Sequence, residues 1–193
     1  DEIAAAYRTV ESILSRIKTQ GMFNYFGPQR FGLDQDNHLH GRWLIKAPPD
    51  KRKSPGRWKS SLFISAYQSY LFNYYLKLRY ELGYAHQLLD GDIARKSTTG
   101  GLFWVRDSAA EQHRFQQGEI SYTGPLFGYK MMLCEDAAAE LEWQILELEG
   151  IELGDFRRTR TTGDRRPGIV YPQNLTAEPV AEGIKLMFDL PAG

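Results

Sequence analysis

SSLFISAYQSYLFNYYLKLRYEL, residues 60–82, is the stretch that decides the fold. Its apolar and aromatic side chains recur every three or four residues, which is the spacing of an α-helix that buries one face. These side chains are Phe63, Ala66, Tyr67, Tyr70, Leu71, Tyr74 and Leu78. Gly83 follows directly, and glycine commonly ends helices. The stretch therefore predicts one long helix, the longest buried helix of the protein.

Further helices and strands are predicted on both sides of this helix. Helical spacing of apolar residues, ended by a glycine, predicts helices at 2–20 and 135–149. Short runs of strand-forming residues predict strands at 101–106, 129–133, 168–171 and 184–190. The polar, proline-containing stretch 34–59 predicts a connection with at most a short helix. The mixture predicts an α+β fold, with a boundary near residues 33–37.

The composition is typical of a soluble globular protein. Of 193 residues, 42% are hydrophobic and 25% are charged, and no apolar run approaches the roughly 20 residues that span a bilayer. The single cysteine, Cys134, cannot form an internal disulfide, and no basic-then-apolar signal segment is visible. We therefore expect a cytoplasmic protein with Cys134 buried. Because a helical pattern begins directly at Asp1, we also expect a piece of a longer protein.

Charge is unevenly distributed, although 24 basic residues balance 24 acidic ones. A first group, here called the basic strip, consists of Arg42, Lys46, Lys51, Arg52, Lys53, Arg57 and Lys59. A second group, the arginine cluster, consists of Arg157, Arg158, Arg160, Arg165 and Arg166. Both groups suit phosphate contact, although solvated loops are the alternative. Residues 135–155 are acidic and lack any basic residue, which favours a solvent-facing helix.

A metal site is considered and rejected at residues 34–40. Asp34, Asp36, His38 and His40 alternate there, as in the start of a calcium loop. Leu39 stands where such a loop needs glycine, however, and further acidic ligands do not follow. We expect no metal.

The most specific motif is NYFGPQRFG, residues 24–32. It agrees at every fixed position with N-Y-F-G-x-Q-R-F-G, the signature of the tRNA pseudouridine synthase D (TruD) family. Other family blocks follow in the expected order: Ser61, Ser65, Ala66, Ser69, Leu71, Phe72 and Asn73 in the long helix, LLDGDIA, YTGPLFG, FRRTRTTGDRRP and FDLPAG. The chain resembles this family over essentially its whole length.

The resemblance implies a fold of two parts. Residues 1–34 would be a segment of the pseudouridine synthase catalytic domain, a mixed sheet with helices. Residues 35–183 would be the inserted α+β TRUD domain, and residues 184–193 a strand that returns to the catalytic domain. The implied activity is isomerisation of a tRNA uridine to pseudouridine, with no cofactor and no metal. The LLDGDIA and YTGPLFG blocks are expected to be turns.

The resemblance also implies the residues that contact the substrate. Asn24 is the family's substrate-contacting asparagine, and its amide offers a donor and an acceptor to a uracil edge. Because the target base must leave its stack, an aromatic face is needed as well. Phe26 would stack on the base or pack under the loop, and Arg30 would fix the loop or touch RNA phosphate. The further RNA contacts expected from charge are the seven residues of the basic strip and Arg157, Arg158, Arg165 and Arg166.

Two departures from the family limit the expected activity. The family's nucleophilic aspartate belongs to an upstream G-x-K-D-x-x-A-x-T-x-Q block, which is absent here, and the block after LPAG is also absent. We therefore expect no catalytic residue in the chain and no activity from it alone. The alternatives are an RNA-binding module that has lost the nucleophile, or an interaction domain without an RNA role. The sequence carries no signal for oligomeric state.

Overall fold

The computed structural model describes residues 2–48 and 55–190 as α-helices and antiparallel strands, which confirms the predicted α+β class. The elements of the first half are α1 (Glu2–Gln20), β1 (Met22–Phe23), the 3-10 turn η1 (Pro28–Phe31), α2 (Asn37–Lys46), α3 (Arg57–Glu81), β2 (Ile93–Lys96) and β3 (Leu102–Trp104). Those of the second half are α4 (Ser108–Gln116), β4 (Ile120–Leu126), α5 (Asp136–Glu149), α6 (Leu153–Arg157), β5 (Asp164–Pro167), β6 (Ile169–Val170), β7 (Gln173–Val180) and β8 (Gly183–Asp189).

Helix α3 forms the centre of the core. Its apolar face packs against α2, β4 and α5. Its fully buried large side chains are Tyr67, Leu71, Phe72, Tyr75 and Leu76. Because burial of each such side chain contributes about 1.5–3 kcal/mol, this one face supplies a large share of the apolar stabilisation. The predicted long buried helix is therefore confirmed.

A four-stranded antiparallel sheet, in the order β3-β2-β4-β5, packs on α3. One of its two inner strands, β4, contains Gly124 and Pro125 of the YTGPLFG block, for which the family resemblance implies a turn. β2 pairs only with residues 120–122 of β4, so Pro125, which lacks an N–H group, lies where that ladder has already ended. A Cβ atom on Gly124 would lie 2.8 Å from ring atoms of Phe72 and Tyr75. The prediction of a turn is wrong because the glycine lets a strand pass directly over α3.

Two smaller ladders complete the described fold. β1 pairs with β6, with Phe23 opposite Ile169. β7 and β8 form a hairpin, and α1 packs against both of its strands. The Tyr7 hydroxyl of α1 donates to the Ala177 carbonyl at 3.2 Å. The first of these ladders brings residue 24 beside residue 168, although 144 positions separate them along the chain.

A buried ion pair joins α3 to the LLDGDIA block. Arg79 and Asp92 are both inaccessible to solvent, and their closest atoms lie 2.7 Å apart. All five guanidinium donors of Arg79 have acceptors, since Tyr75, Tyr84 and Gln87 accept the three hydrogen bonds that Asp92 does not. Asp92 has a structural role, because it neutralises a charge that the core could not otherwise hold.

Three of the predicted strands are confirmed with small shifts, and the fourth is wrong. The strands predicted at 101–106, 168–171 and 184–190 are present as β3, β6 and β8. The segment 129–133 is a turn and irregular chain. Its backbone groups form hydrogen bonds with loop and side-chain groups. For example, Trp104 Nε1 donates to the Leu133 carbonyl at 3.0 Å. None of the described helices is long and apolar enough to cross a membrane.

Candidate functional site

The NYFGPQRFG loop leaves β1 and lies against the end of β5. The Asn24 backbone N–H donates to the Gly168 carbonyl at 2.9 Å, and its side-chain Nδ2 donates to the Pro167 carbonyl at 3.0 Å. Arg166 approaches from the same strand, and its guanidinium donates to Asn24 Oδ1 at 2.6 Å and to the Asn24 carbonyl at 3.3 Å.

These contacts fix the orientation of the Asn24 amide. Oδ1 faces a donor and Nδ2 faces an acceptor, so the two ends of the amide cannot be exchanged. One lone pair on Oδ1 and one hydrogen on Nδ2 remain available. The half-buried amide of Asn24 can therefore still offer one acceptor and one donor to a ligand.

The backbone of Phe26 is held by Asn73 of α3. Asn73 Oδ1 accepts from the Phe26 N–H, and Asn73 Nδ2 donates to the Phe26 carbonyl, both at 2.9 Å. The half-buried Phe26 ring stands edge-on to Phe72, with 5.6 Å between ring centroids. These two hydrogen bonds fix the position of the Phe26 ring relative to α3.

Two guanidinium groups lie over the Phe26 ring. The guanidinium carbon of Arg166 is 4.2 Å from the ring centroid, and that of Arg30 is 5.3 Å away. Arg30 is held by the hydroxyls of Ser69, at 3.0 Å, and Ser65. Within residues 2–48 and 55–190, neither arginine has a carboxylate within 4.0 Å. Burial, and then repulsion from Arg30, lower the pKa of Arg166.

Two unpaired cations on one ring form an electrostatic environment that favours an anion. A phosphate group could accept hydrogen bonds from both guanidiniums and remove their mutual repulsion. Together with the Asn24 amide and the Phe26 ring, the site offers groups for a base edge, a base face and a phosphate.

Arg165, predicted as an RNA contact, faces the core. Its side chain is 1% exposed and its guanidinium lies 2.5 Å from Glu142 Oε1. It also donates to the Thr123 hydroxyl at 3.0 Å and to the Thr123 carbonyl at 2.7 Å. The expectation for Arg165 is corrected: burial opposes its charge, but its neighbours, chiefly Glu142, raise its pKa. Glu142 likewise departs from the solvent-facing position expected of the acidic helix.

The basic strip divides into two parts. Arg42 donates to Glu149 Oε2 and to the Glu149 carbonyl, both at 3.0 Å, and Lys46 donates to the Gly150 carbonyl. These two cations bind the C-terminal end of α5, where the helix dipole favours positive charge. Arg57 and Lys59 are exposed on the first turn of α3. Lys51, Arg52 and Lys53 lie outside the described residues.

The rest of the arginine cluster is exposed near α6. Arg157 lies over the Tyr129 ring at 5.4 Å. Arg158 has a long contact of 4.0 Å with Asp155. Both guanidiniums are accessible from solvent, so the cluster offers charge to a ligand through Arg157 and Arg158.

The site also contains residues for which the sequence predicted no role. Asn73, Ser65 and Ser69 belong to the family block of the long helix, and they hold Phe26 and Arg30. The polar positions in an otherwise apolar helix were the available signal, because a buried polar group needs a partner.

The residues of the rejected metal site make other contacts. His40 Nε2 lies 3.3 Å from Asp36 Oδ2, and the His38 ring stacks on Tyr70 with 4.8 Å between centroids. Within the parts of the chain that the structure describes, no group of three His, Cys, Asp or Glu side chains is arranged to hold a metal ion.

The fold is α+β, and the site combines one amide, one aromatic ring and two guanidiniums that have no carboxylate partner among the described residues. The family model for tRNA pseudouridine synthase D (TruD) matches residues 57–193. The chain belongs to the TruD family.

Curated relatives agree with this assignment. The chain is 38% identical over 182 residues to tRNA pseudouridine synthase D of Anaeromyxobacter dehalogenans, covering 92% of this chain and 52% of the relative. It is 40% identical over 183 residues to tRNA pseudouridine synthase D of Thermus thermophilus, covering 95% and 50%. The chain therefore spans about half the length of the curated relatives it matches.

A solved structure shares the fold. The crystal structure of a protein from Methanosarcina mazei, assigned in its description to tRNA pseudouridine synthase D, matches with a TM-score of 0.78 at 19% identity. The match covers 98% of this chain and 62% of the other. At this identity the likeness shows the α+β fold alone.

Proposed function

We propose that this chain is the middle part of a tRNA pseudouridine synthase, which isomerises a uridine in tRNA to pseudouridine. The observation that carries the proposal is the meeting of the Asn24 amide, the Phe26 ring and two unpaired guanidiniums at one place, in a chain of the TruD family. Asn24 binds the uracil edge, Phe26 stacks on the base, and Arg30 and Arg166 bind an adjacent phosphate.

The nucleophile in this proposal comes from a segment outside these 193 residues. The reaction breaks the bond between the sugar and the base nitrogen, turns the base and rejoins it through carbon. A base undergoing this change must stay in the site while it is detached from its sugar. The fixed amide of Asn24 and the immobilised ring of Phe26 are suited to hold it, and they require no cofactor.

Contact with the rest of the tRNA is assigned to exposed cations. Arg57 and Lys59 on α3, and Arg157 and Arg158 near α6, are the described candidates for phosphate contacts. Lys51, Arg52 and Lys53 remain a prediction from sequence. Arg42 and Lys46 are weaker candidates, since both are bound to the end of α5.

The division of the chain into domains is also a proposal. The sequence prediction put residues 1–34 and 184–193 in the catalytic domain and residues 35–183 in an insertion. Because β7 and β8 form one hairpin against α1, we propose that the return begins after Tyr171 and includes both strands. We also propose a cytoplasmic location, because a tRNA substrate and the free thiol of Cys134 both fit that compartment.

The experiment that tests the function replaces Asn24 by alanine in a protein that also carries the family's aspartate segment. Loss of one polar contact to the reacting base should lower kcat/KM for tRNA modification by about 1–3 kcal/mol, roughly 5- to 150-fold. Pseudouridine formation is measured by base-specific chemical labelling followed by primer extension.

The matched control is Gln144→Ala, which removes an exposed amide on α5. It should leave kcat/KM unchanged. Equal kinetics for the Asn24→Ala variant and the parent would remove Asn24 from the site. Absence of pseudouridine in every tRNA offered to the complete protein would leave only the alternative of a non-catalytic RNA-binding module.

A further inference from the structure

The segment 23–26 presents two chemically different sides. Asn24 and Phe26 share one side, because both contact Arg166. Phe23 and Tyr25 share the other, with 5.5 Å between their ring centroids. This alternation is the pattern of extended chain, in which successive side chains point to opposite faces.

Further aromatic rings extend the side that carries Phe23 and Tyr25. The Tyr80 ring stands edge-on to Phe23 at 6.1 Å, and the His86 ring lies at 6.1 Å with an interplanar angle of 31°. Phe23 is half-buried in the middle, while Tyr25 is 43% and Tyr80 is 64% exposed. His86 also lines an open cavity of about 650 Å³ beside α4. These four rings are here called the aromatic platform.

The platform lies within one residue of the proposed uridine contacts. Tyr25 is bonded directly to Asn24 on one side and to Phe26 on the other. A uridine held by those two residues in an RNA strand has covalent neighbours, and their bases need a surface once the target has left the stack. Exposed aromatic rings stack on bases of any identity.

The charges around the platform also suit an RNA strand. Arg16 is near enough to His86 to lower its pKa, after the larger effect of burial. Lys77 and Glu81 face Tyr25, and these two are paired with each other at 3.0 Å. Lys77 and Glu81 offset each other, and Arg16 adds one positive charge near His86.

We propose that the aromatic platform binds the base of a nucleotide adjacent to the target uridine, with Tyr25 and Tyr80 as the stacking rings. This inference rests on the proposed function and adds a second base site to it. The target uridine and its neighbour then bind on opposite sides of the same short segment, so residues 23–26 separate the two bases.

Photocrosslinking with short RNAs that contain a single uridine tests this placement. In the first RNA the uridine itself is 5-iodouridine, and in two others a 5-iodocytidine stands directly before or after an ordinary uridine. After irradiation with the protein that also carries the family's aspartate segment, the crosslinked residue is identified by mass spectrometry. We expect the first RNA to label Phe26 and at least one of the others to label Tyr25 or Tyr80.

The outcomes separate this inference from the function on which it rests. Labelling of Phe26 by the first RNA, with neither neighbour label reaching the platform, would overturn the platform and leave the function standing. Failure of the first RNA to label the Asn24 and Phe26 side would overturn the proposed function itself. Labelling of the platform by the uridine label would reverse the assignment of the two sides and also overturn the inference.

Affinity measurements provide a second test. Tyr25→Ala should weaken binding of the same RNA by about 5- to 100-fold, since stacking on one ring is lost. Tyr25→Phe keeps the ring and should bind within about twofold of the parent. The control Trp143→Ala removes an exposed aromatic on α5 and should have no effect. Unchanged affinity of a folded Tyr25→Ala variant, as judged by its melting temperature, would overturn the proposal.

Discussion

Arg165 and Arg166 are neighbours on β5, yet their surroundings are opposite. Arg165 is buried, and its guanidinium is bound by Glu142 and both oxygens of Thr123. Arg166 is half-buried, lies on the Phe26 ring, and has no carboxylate within reach among the described residues. Successive residues of a strand point to opposite faces, so one strand carries a structural cation and a cation suited to a ligand.

The difference gives a criterion for a cation that is available to bind a ligand, namely that it has no carboxylate partner in the fold. A buried cation without an anion is costly, so the fold supplies Glu142 to Arg165. Among the described residues, Arg166 donates only to neutral acceptors of Asn24, and Arg30, which carries the same charge, lies beside it. The molecule thus leaves positive charge uncompensated at the site and compensates it in the core.

Removal of Glu142 should be the most damaging change. Glu142→Leu leaves the Arg165 guanidinium buried without its carboxylate, and the free energy of unfolding should fall by about 3–5 kcal/mol. Urea unfolding followed by circular dichroism measures this. Arg166→Ala, made as the comparison, should cost no more than about 1 kcal/mol, because the site is only half-buried.

The reactivity of the Cys134 thiol is an independent measure of the buried contacts of Arg165 and Glu142. Burial, opposed by Arg165, raises the pKa of its thiol to about 12, and Cys134 Sγ lies 3.2 Å from Glu142 Oε1. In native buffer the thiol should resist alkylation by iodoacetamide in the parent and in Arg166→Ala. It should react faster in Glu142→Leu. Equal stability and equal alkylation rates in the two variants would contradict the contrast between the two arginines.

Removal of Arg166 should instead damage binding. Loss of a charge-assisted contact to phosphate should weaken RNA affinity by about 1.5–3 kcal/mol, and the slope of log affinity against log salt should become shallower by about one. Filter binding across a salt series measures both quantities. Arg166→Lys should recover the salt slope but only part of the affinity, because lysine lacks the planar fork. A salt slope equal to that of the parent for Arg166→Ala would show that Arg166 does not bind phosphate.

The core helix could be predicted from sequence because its information is local. The spacing of apolar residues over 60–82 specifies a helix and its buried face without reference to any other segment. The strand β4 was not predicted, since the family resemblance implied a turn there and glycine and proline are common in turns. Gly124 fits in the strand because it lets the backbone approach α3 closely. Pro125 fits because the pairing with β2 ends before it.

The site was only partly predictable for a similar reason. Asn24, Phe26 and Arg30 were found through a motif, and they lie together in the structure. Their partners lie far away in sequence: Asn73 is 47 positions from Phe26, and Arg166 is 142 positions from Asn24. No local pattern tells which of two adjacent arginines faces the core, because that depends on the register of β5 against β4.

The smallest expected effect separates the two parts of the basic strip. Arg42 is paired with Glu149 at the surface, so Arg42→Ala should lower the free energy of unfolding by about 0.5–1 kcal/mol. Its RNA affinity should change little, because the cation already has an anion. The double variant Arg57→Ala/Lys59→Ala should show the opposite pattern. Its free energy of unfolding should stay within about 0.5 kcal/mol of the parent, and its slope of log RNA affinity against log salt should become shallower by about two. The same chemical denaturation and filter-binding series measure all of these variants. If Arg42→Ala reduced the salt slope as much as the double variant does, pairing with a carboxylate would not distinguish structural cations from binding cations in this protein.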